Sequence, residues 1–270
     1  MKTFCAPDCL SSKLKLTMRF TIVHYLNKNF NTLKINIRYM MPNTILLDSM
    51  MIDEDVLTLT DDEIGDDHIM TSVETPLHDG AFDLNDDEKI HKIAFHFREI
   101  MHTLGLDLTD DSLKGTPNRV AKMYVKEIFS GLNPANKPKV ALFDNKYQYN
   151  DMLVEKDITF FSNCEHHFVP IIGKAHVAYM SSGKVIGLSK LNRLVQYYAK
   201  RPQVQERLTM QIAKELRLAL GTEDIAVLID AKHLCVSSRG VQDVNSSTVT
   251  AYYGGQFKDE ARKIEFLKYL

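Results

Sequence analysis

The residues best suited to binding a metal ion stand in two short clusters of this 270-residue sequence. Cys164-x-x-His167 directly follows an apolar run, and His233-x-Cys235 lies far along the chain. Thiolates and imidazoles are ligands that zinc and similar ions prefer in proteins. The adjacent His166 cannot point the same way as His167 on an extended backbone. One of the two can therefore bind a metal while the other takes part in chemistry.

The two clusters, with His166, offer more candidate ligands than one catalytic metal ion uses. A catalytic zinc keeps three protein ligands and an open position, so five candidates are more than it needs. The pattern predicts that some of them are acid/base groups instead. Alternate residues of a strand share a face, so we expect His233 and Cys235 to reach one site from a strand. The alternative is a buried free cysteine beside unrelated histidines.

Three basic clusters have the character of phosphate-binding sites. Arg119 and Lys122 share a helix face near its predicted N-terminus, and Lys190 and Arg193 repeat this spacing at a second helix start. Arg239 follows the second metal cluster. Each cluster alone is typical of a solvated helix face. Together with the metal pattern they indicate a nucleoside triphosphate as ligand.

Gln205 and Glu206 begin a further predicted helix. A carboxylate accepts two parallel hydrogen bonds from the N1–H and the exocyclic amine of guanine, and adenine offers no such pair. By its spacing alone, however, Glu206 is typical of an exposed helix residue.

These residues must be positioned by helices and strands, which the periodicity predicts. Asn85 or Asp86 is the predicted N-cap of the first helix. Thr116, followed by Pro117, is the predicted N-cap of the second, and Gly131 is predicted to end that second helix. Apolar patterns predict strands over 157–163, 174–180, 224–236 and 247–255, and helices over 188–201 and 202–220. This order indicates an α+β protein with an antiparallel sheet.

Charge divides the chain unevenly although its net charge is only −2. Residues 1–41 carry +6 and residues 42–88 carry −15. We therefore predict a disordered N-terminal extension over 1–85, a helical region over 86–135 and a strand-containing domain over 136–270.

Several classes of protein are disfavoured by composition. The apolar runs fall short of the roughly 20 residues that span a bilayer, so we expect no membrane segment. Four cysteines make no disulfide framework, which favours a reducing compartment such as the cytoplasm. A nucleic-acid partner is not expected, since no basic stripe with interleaved aromatics occurs. The H-x-E and P-C-x-x-C pattern of zinc deaminases is absent as well.

With these residues assembled, the chain closely resembles the GTP cyclohydrolase I family. The resemblance lies in four stretches: DDSLKGTPNRVAKMYVKEIFSGL, CEHHFVPIIGKAHVAYM, VIGLSKLNRLVQYYAKRPQVQERLT and DAKHLCVSSRGVQD. It implies a tunnelling fold over 136–270, with a four-stranded antiparallel sheet, two helices on one face and a preceding helical region. It also implies a homodecamer (a dimer of pentamers) with active sites at subunit interfaces. The activity implied is hydrolysis of GTP to 7,8-dihydroneopterin triphosphate and formate, the first step of tetrahydrofolate or pterin biosynthesis.

The resemblance also implies roles for single residues. One Zn²⁺ per subunit is bound by Cys164, His167 and Cys235, and the acid/base positions are His166 and His233. The substrate contacts are Glu206 with Gln205 for guanine, Ser189 near base or ribose, and Arg119, Lys122, Lys190, Arg193 and Arg239 for the triphosphate. The chain departs from the family in its first 85 residues and at Gln242, where many relatives have a basic residue.

Two alternatives stand beside this interpretation. One is a tunnelling-fold enzyme for another purine or pterin that uses a cysteine nucleophile, which would need no second cysteine. The other is a zinc-stabilised or nucleotide-sensing oligomer without catalysis, although structural zinc sites are usually closed by four ligands.

Overall fold

The computed structural model describes residues 72–181 and 183–270. Two helices precede four consecutive strands, and helices and strands alternate after these. In order they are α1 (Asp86–Thr103), α2 (Thr116–Met123), β1 (Leu142–Asp144), β2 (Met152–Cys164), β3 (Pro170–Met180), β4 (Lys184–Ile186), α3 (Leu188–Ala199), β5 (Pro202–Gln203), α4 (Gln205–Leu220), β6 (Ile225–His233), α5 (Leu234–Ser237), β7 (Thr248–Tyr253) and α6 (Glu260–Lys268).

The main sheet has the strand order β5-β2-β3-β6-β7. Strands β2, β3, β6 and β7 pair antiparallel, which confirms the α+β class and the four-stranded antiparallel core. The main sheet nevertheless has five strands rather than the expected four, because the two-residue β5 pairs in parallel with the end of β2. A separate two-stranded sheet joins β1 to β4.

Helices α3 and α4 cover one face of this sheet, as expected. Leu191, Leu194 and Val195 of α3 and Leu208 and Ile212 of α4 are buried in one apolar cluster with the sheet. Burial of such an apolar helix face is the main favourable contribution to folding. The opposite face is partly covered by the C-terminal helix α6, a helix that the sequence pattern did not predict.

The ends of the first two helices test the capping predictions. Asn85 caps α1 as expected: its side chain accepts from the backbone N–H of Glu88, and the Glu88 carboxylate accepts from the Asn85 N–H. The prediction for α2 was wrong, since Thr116 lies inside the helix and Gly115 precedes it without a side-chain cap.

The second metal cluster lies on different elements from those expected. Strand β6 ends at His233, and Cys235 lies in the short helix α5. The prediction that both residues share a strand face was therefore wrong. Helix α4 likewise begins at Gln205 rather than at Pro202, whose segment pairs with β2 instead.

The predicted N-terminal extension falls mostly outside the described residues, since these begin at 72. The part that is described contacts α4: Glu74 pairs with Lys214, and Arg207 Nε donates to the Ser72 carbonyl at 2.7 Å. Among the described residues, no helix combines the length and apolar character needed to cross a membrane.

The prediction that Gly131 ends the second helix was wrong: α2 ends at Met123, a π-helical turn follows to Ile128, and Gly131 lies inside the short 3-10 helix Ser130–Leu132. Gly131 is required instead by a close approach to the backbone at the end of α3. A Cβ there would lie 2.0 Å from the Tyr197 carbonyl oxygen and 2.7 Å from that of Lys200, at the end of α3. The Gly131 N–H donates to this Lys200 oxygen at 2.9 Å. The helical region before β1 is therefore joined closely to the helix that covers the sheet.

We expect Gly131→Ala to destabilise the protein by about 1–3 kcal/mol, because two backbone oxygens would have to move. Gly187→Ala is the matched control, since its Cβ would make only ordinary contacts, the nearest at 3.4 Å. Urea unfolding of both variants measures the difference. Equal stability of the two would contradict the close approach.

Candidate metal centre

Three side chains converge where the main sheet ends. The ligand atoms of Cys164, His167 and Cys235 all lie within 4.8 Å of one another. Cys164 Sγ and His167 Nδ1 are 3.9 Å apart. Cys164 is buried, Cys235 is half-buried and His167 is exposed, so the cluster is reached from one side.

A tight turn between β2 and β3 brings His167 back over Cys164. The Phe168 N–H donates to the Cys164 carbonyl at 2.8 Å, and the Cys164 N–H donates to the Val169 carbonyl at 2.9 Å. Asn163 adds a side-chain bond to the Phe168 carbonyl at 3.0 Å. Phe168 adopts a φ of 54°, an uncommon left-handed conformation that this set of bonds stabilises.

The donor set fits a zinc ion. Two sulfurs and one imidazole are a donor set that zinc favours, and ligands about 2.0–2.3 Å from a tetrahedral ion lie roughly 3.3–3.8 Å apart. Burial raises the pKa of the Cys235 thiol, as does the neighbouring Cys164, while the charge of Arg239 opposes the shift. A divalent cation would reverse this preference, because thiolates are its ligands.

His166 lies beside the cluster without joining the three-residue group. Its Nδ1 is 3.6 Å from Cys164 Sγ, and its Nε2 is 3.9 Å from Glu165 Oε1. The two histidine rings stand at 76° to each other with centroids 6.4 Å apart. They differ in direction as expected, although in a turn rather than on an extended backbone.

Gln205 is buried and holds His233. Its Nε2 donates to the carbonyls of Ile229 and Thr248 at 3.2 and 2.8 Å, and to the Thr250 hydroxyl at 3.1 Å. Because carbonyls only accept, Oε1 must face His233 Nε2, which lies 2.8 Å away. His233 therefore carries its proton on Nε2.

The environment of His233 acts on its charge in two directions. Burial lowers the pKa of the imidazole, and the carboxylate of Glu206 raises it. The predicted guanine anchor is thus an electrostatic neighbour of the predicted acid/base residue, while Glu206 itself is exposed.

The other predicted contacts lie on three separate segments. Arg119 and Lys122 are exposed on α2, and Arg119 donates to the Ser112 carbonyl and the Thr116 hydroxyl. Ser189, Lys190 and Arg193 lie in the first turns of α3, and Arg239 is exposed after α5 near Cys235. Within one chain the structure brings Arg239 to the cluster, and a common site for all five basic residues stays a prediction.

One pair of residues at this site was not predicted from the sequence. Arg207 is buried and forms a forked ion pair with Glu165, the residue between Cys164 and His166. The sequence does place an arginine among the residues that α4 buries, but its spacing does not identify the residue with which it pairs.

Comparisons with known proteins show the family of this chain. The family model of GTP cyclohydrolase I matches residues 93–270. A GTP cyclohydrolase 1 of Flavobacterium johnsoniae is 65% identical over 221 residues, covering 82% of this chain and 97% of the relative. Enzymes of the same name from Aeromonas salmonicida and Escherichia coli are 56% and 52% identical, covering 72% and 74% of this chain and 89% and 90% of the relatives.

These matches confirm the resemblance seen in the sequence and, with it, the tunnelling fold. The chain belongs to the GTP cyclohydrolase I family of hydrolases.

Proposed function

We propose that this protein is a zinc-dependent GTP cyclohydrolase I, which hydrolyses GTP to 7,8-dihydroneopterin triphosphate and formate. The observation that carries the proposal is the convergence of Cys164, His167 and Cys235 within 4.8 Å in a chain of this family. His166 Nδ1 lies 3.6 Å from Cys164 Sγ, and His233, which Gln205 holds, stands two residues before Cys235, so both are candidate proton donors or acceptors.

Cys164, His167 and Cys235 would hold one Zn²⁺ per subunit. When bound, zinc supplies the Lewis acidity that makes water a competent nucleophile near neutral pH. Three protein ligands leave a position open, as catalytic zinc sites require.

The two histidines are proposed to move the protons of the reaction. Water adds at C8 of the purine, the imidazole ring opens with protonation of its nitrogen, and a second hydrolysis releases C8 as formate. The ribose then rearranges to a ketone, which condenses with the freed amine and releases one water. Because Gln205 fixes the proton of His233 on Nε2, the exchange of protons falls to Nδ1.

The proposed substrate contacts hold GTP at both ends. Glu206, helped by Gln205, would accept from the guanine edge, and Ser189 would lie near the base or ribose. Gln205 acts in part through His233, since its own side-chain groups are already bonded within the protein. The triphosphate would meet the five basic residues Arg119, Lys122, Lys190, Arg193 and Arg239. Contacts made far from C8 hold the base in register for the chemical step.

The wider setting of the enzyme is proposed by the same family membership. We propose a cytoplasmic homodecamer with active sites at subunit interfaces, acting in the first step of tetrahydrofolate or pterin biosynthesis. The helical region would span 86–135 and the catalytic domain 136–270, with residues 1–85 as an extension.

Incubation of the zinc-loaded protein with GTP tests the reaction. We expect formate and, after oxidation, a fluorescent pterin to be formed in equal amounts. ATP is the matched control and should give neither, because adenine lacks the paired donors that Glu206 accepts. Binding of GTP without either product would favour the nucleotide-sensing alternative.

Cys235→Ser should lose zinc and activity together, since a hydroxyl replaces one of the two sulfur ligands. Zinc content by atomic emission and the rate of formate release measure the two effects. Cys9→Ser, outside the described residues, controls for the loss of a thiol. Full zinc occupancy in Cys235→Ser would refute the assigned ligand.

His233→Ala should keep zinc and lose about 10²–10⁴-fold in turnover, the usual contribution of general acid–base catalysis. His102→Ala, an exposed change at the end of α1, is the control. Zinc content and turnover number are measured on both variants. A near-normal rate in His233→Ala would contradict its acid/base role.

A further inference from the structure

Arg207 is an unusual residue for the apolar face of a helix. It lies in the first turn of α4 and is only 4% exposed. A guanidinium is always charged, and a buried charge is tolerated only when it is paired and hydrogen-bonded. The partners of Arg207 therefore decide what it does.

Its principal partner is the carboxylate of Glu165. Arg207 Nη2 lies 3.2 Å from Glu165 Oε1, and Nη1 pairs with Oε2. This forked arrangement fixes the plane of the carboxylate as well as its distance, which a lysine could not do.

Glu165 transmits this restraint to the metal-binding turn. It directly follows Cys164 and stands two residues before His167. Its backbone N–H also donates to the Gln203 carbonyl at 3.1 Å, so β5 and α4 both hold it. The same carboxylate lies 3.9 Å from His166 Nε2. A change in Glu165 would therefore shift the direction of its neighbours on both sides.

A second partner links Arg207 to the segment Ser72–Thr75. Arg207 Nε donates to the Ser72 carbonyl at 2.7 Å. The segment is attached to the helices by Glu74, which pairs with Lys214, and by Thr75, whose hydroxyl accepts from Arg201 at 3.3 Å and Gln211 at 3.4 Å.

We propose that Arg207 is a positioning residue that fixes the turn from Cys164 to His167, and that the segment Ser72–Thr75 holds Arg207 in place. The inference rests on the proposed role of Cys164 and His167 as metal ligands. Groups that orient ligands from behind typically contribute 10–100-fold to metal affinity. Arg207 thus acts on the metal through Glu165 without touching the reacting atoms.

The test is the zinc affinity of the full-length protein, measured by competition with a coloured chelator. Arg207→Met should weaken zinc binding by about 10–100-fold. Arg217→Met is the matched control, because Arg217 lies on the same helix and pairs with the exposed Glu223 away from the turn. Its affinity should match that of the wild type.

Two further variants separate positioning from folding. Arg207→Lys keeps the charge without the fork and should give an intermediate affinity. The double variant Arg207→Met with Glu165→Gln removes both charges and leaves no unpaired ion, so it should fold, as circular dichroism would show. It should still bind zinc weakly. Wild-type affinity in this double variant would overturn the proposal.

The segment is tested by Glu74→Gln combined with Thr75→Val. We expect a loss of zinc affinity smaller than that of Arg207→Met, and an unchanged affinity would overturn the role of the segment. A wild-type protein that fails to bind zinc would instead refute the metal centre itself. Tight zinc binding in both the wild type and Arg207→Met would refute only the inference.

Discussion

The register of three neighbouring strands decides where the candidate ligands lie. Asn163 of β2 pairs with Pro170 of β3, and Ile171 of β3 pairs with His233 of β6. The turn after β2 and the helix after β6 therefore emerge side by side at one end of the sheet, although they are distant in sequence. A slip of one residue would turn each side chain to the opposite face and separate the donors. Close pairing at Gly173, where a Cβ would meet Ala231 at 2.4 Å, helps to fix this register.

The first turn of α4 supports the site from behind. Successive helix residues point about 100° apart, so Gln205, Glu206 and Arg207 face three directions. Gln205 holds His233, Arg207 holds Glu165, and Glu206 is exposed near His233. One short stretch of helix thus restrains the candidate acid/base residue and the candidate metal-binding turn, and presents an exposed carboxylate near His233. The position of α4 on the sheet consequently matters to several functional groups at once.

Sequence patterns predicted the parts of this arrangement that follow local rules. Apolar periodicity gave the four antiparallel strands and both covering helices, and the Asn85 cap of α1 followed from residue type. Prediction was wrong where tertiary contacts override such rules: β6 stops at His233, so that Cys235 arrives on a helical turn. The Arg207–Glu165 pair was out of reach for the same reason, since its partners are 42 residues apart and neither spacing nor periodicity connects them.

The contribution of the Arg207–Glu165 pair to stability does not explain why an ion pair is buried here. Removing one partner of a buried pair costs about 3–5 kcal/mol, but replacing both by apolar groups is often neutral or stabilising. Stability alone therefore gives no reason to place a charge at Arg207, which is only 4% exposed. Apolar side chains at both positions would set no single direction at position 165, whereas the forked pair fixes the orientation of the Glu165 carboxylate. Cys164 precedes Glu165 by one residue and His167 follows it by two. A fixed orientation of Glu165 therefore helps to orient both candidate ligands, which apolar packing could not do.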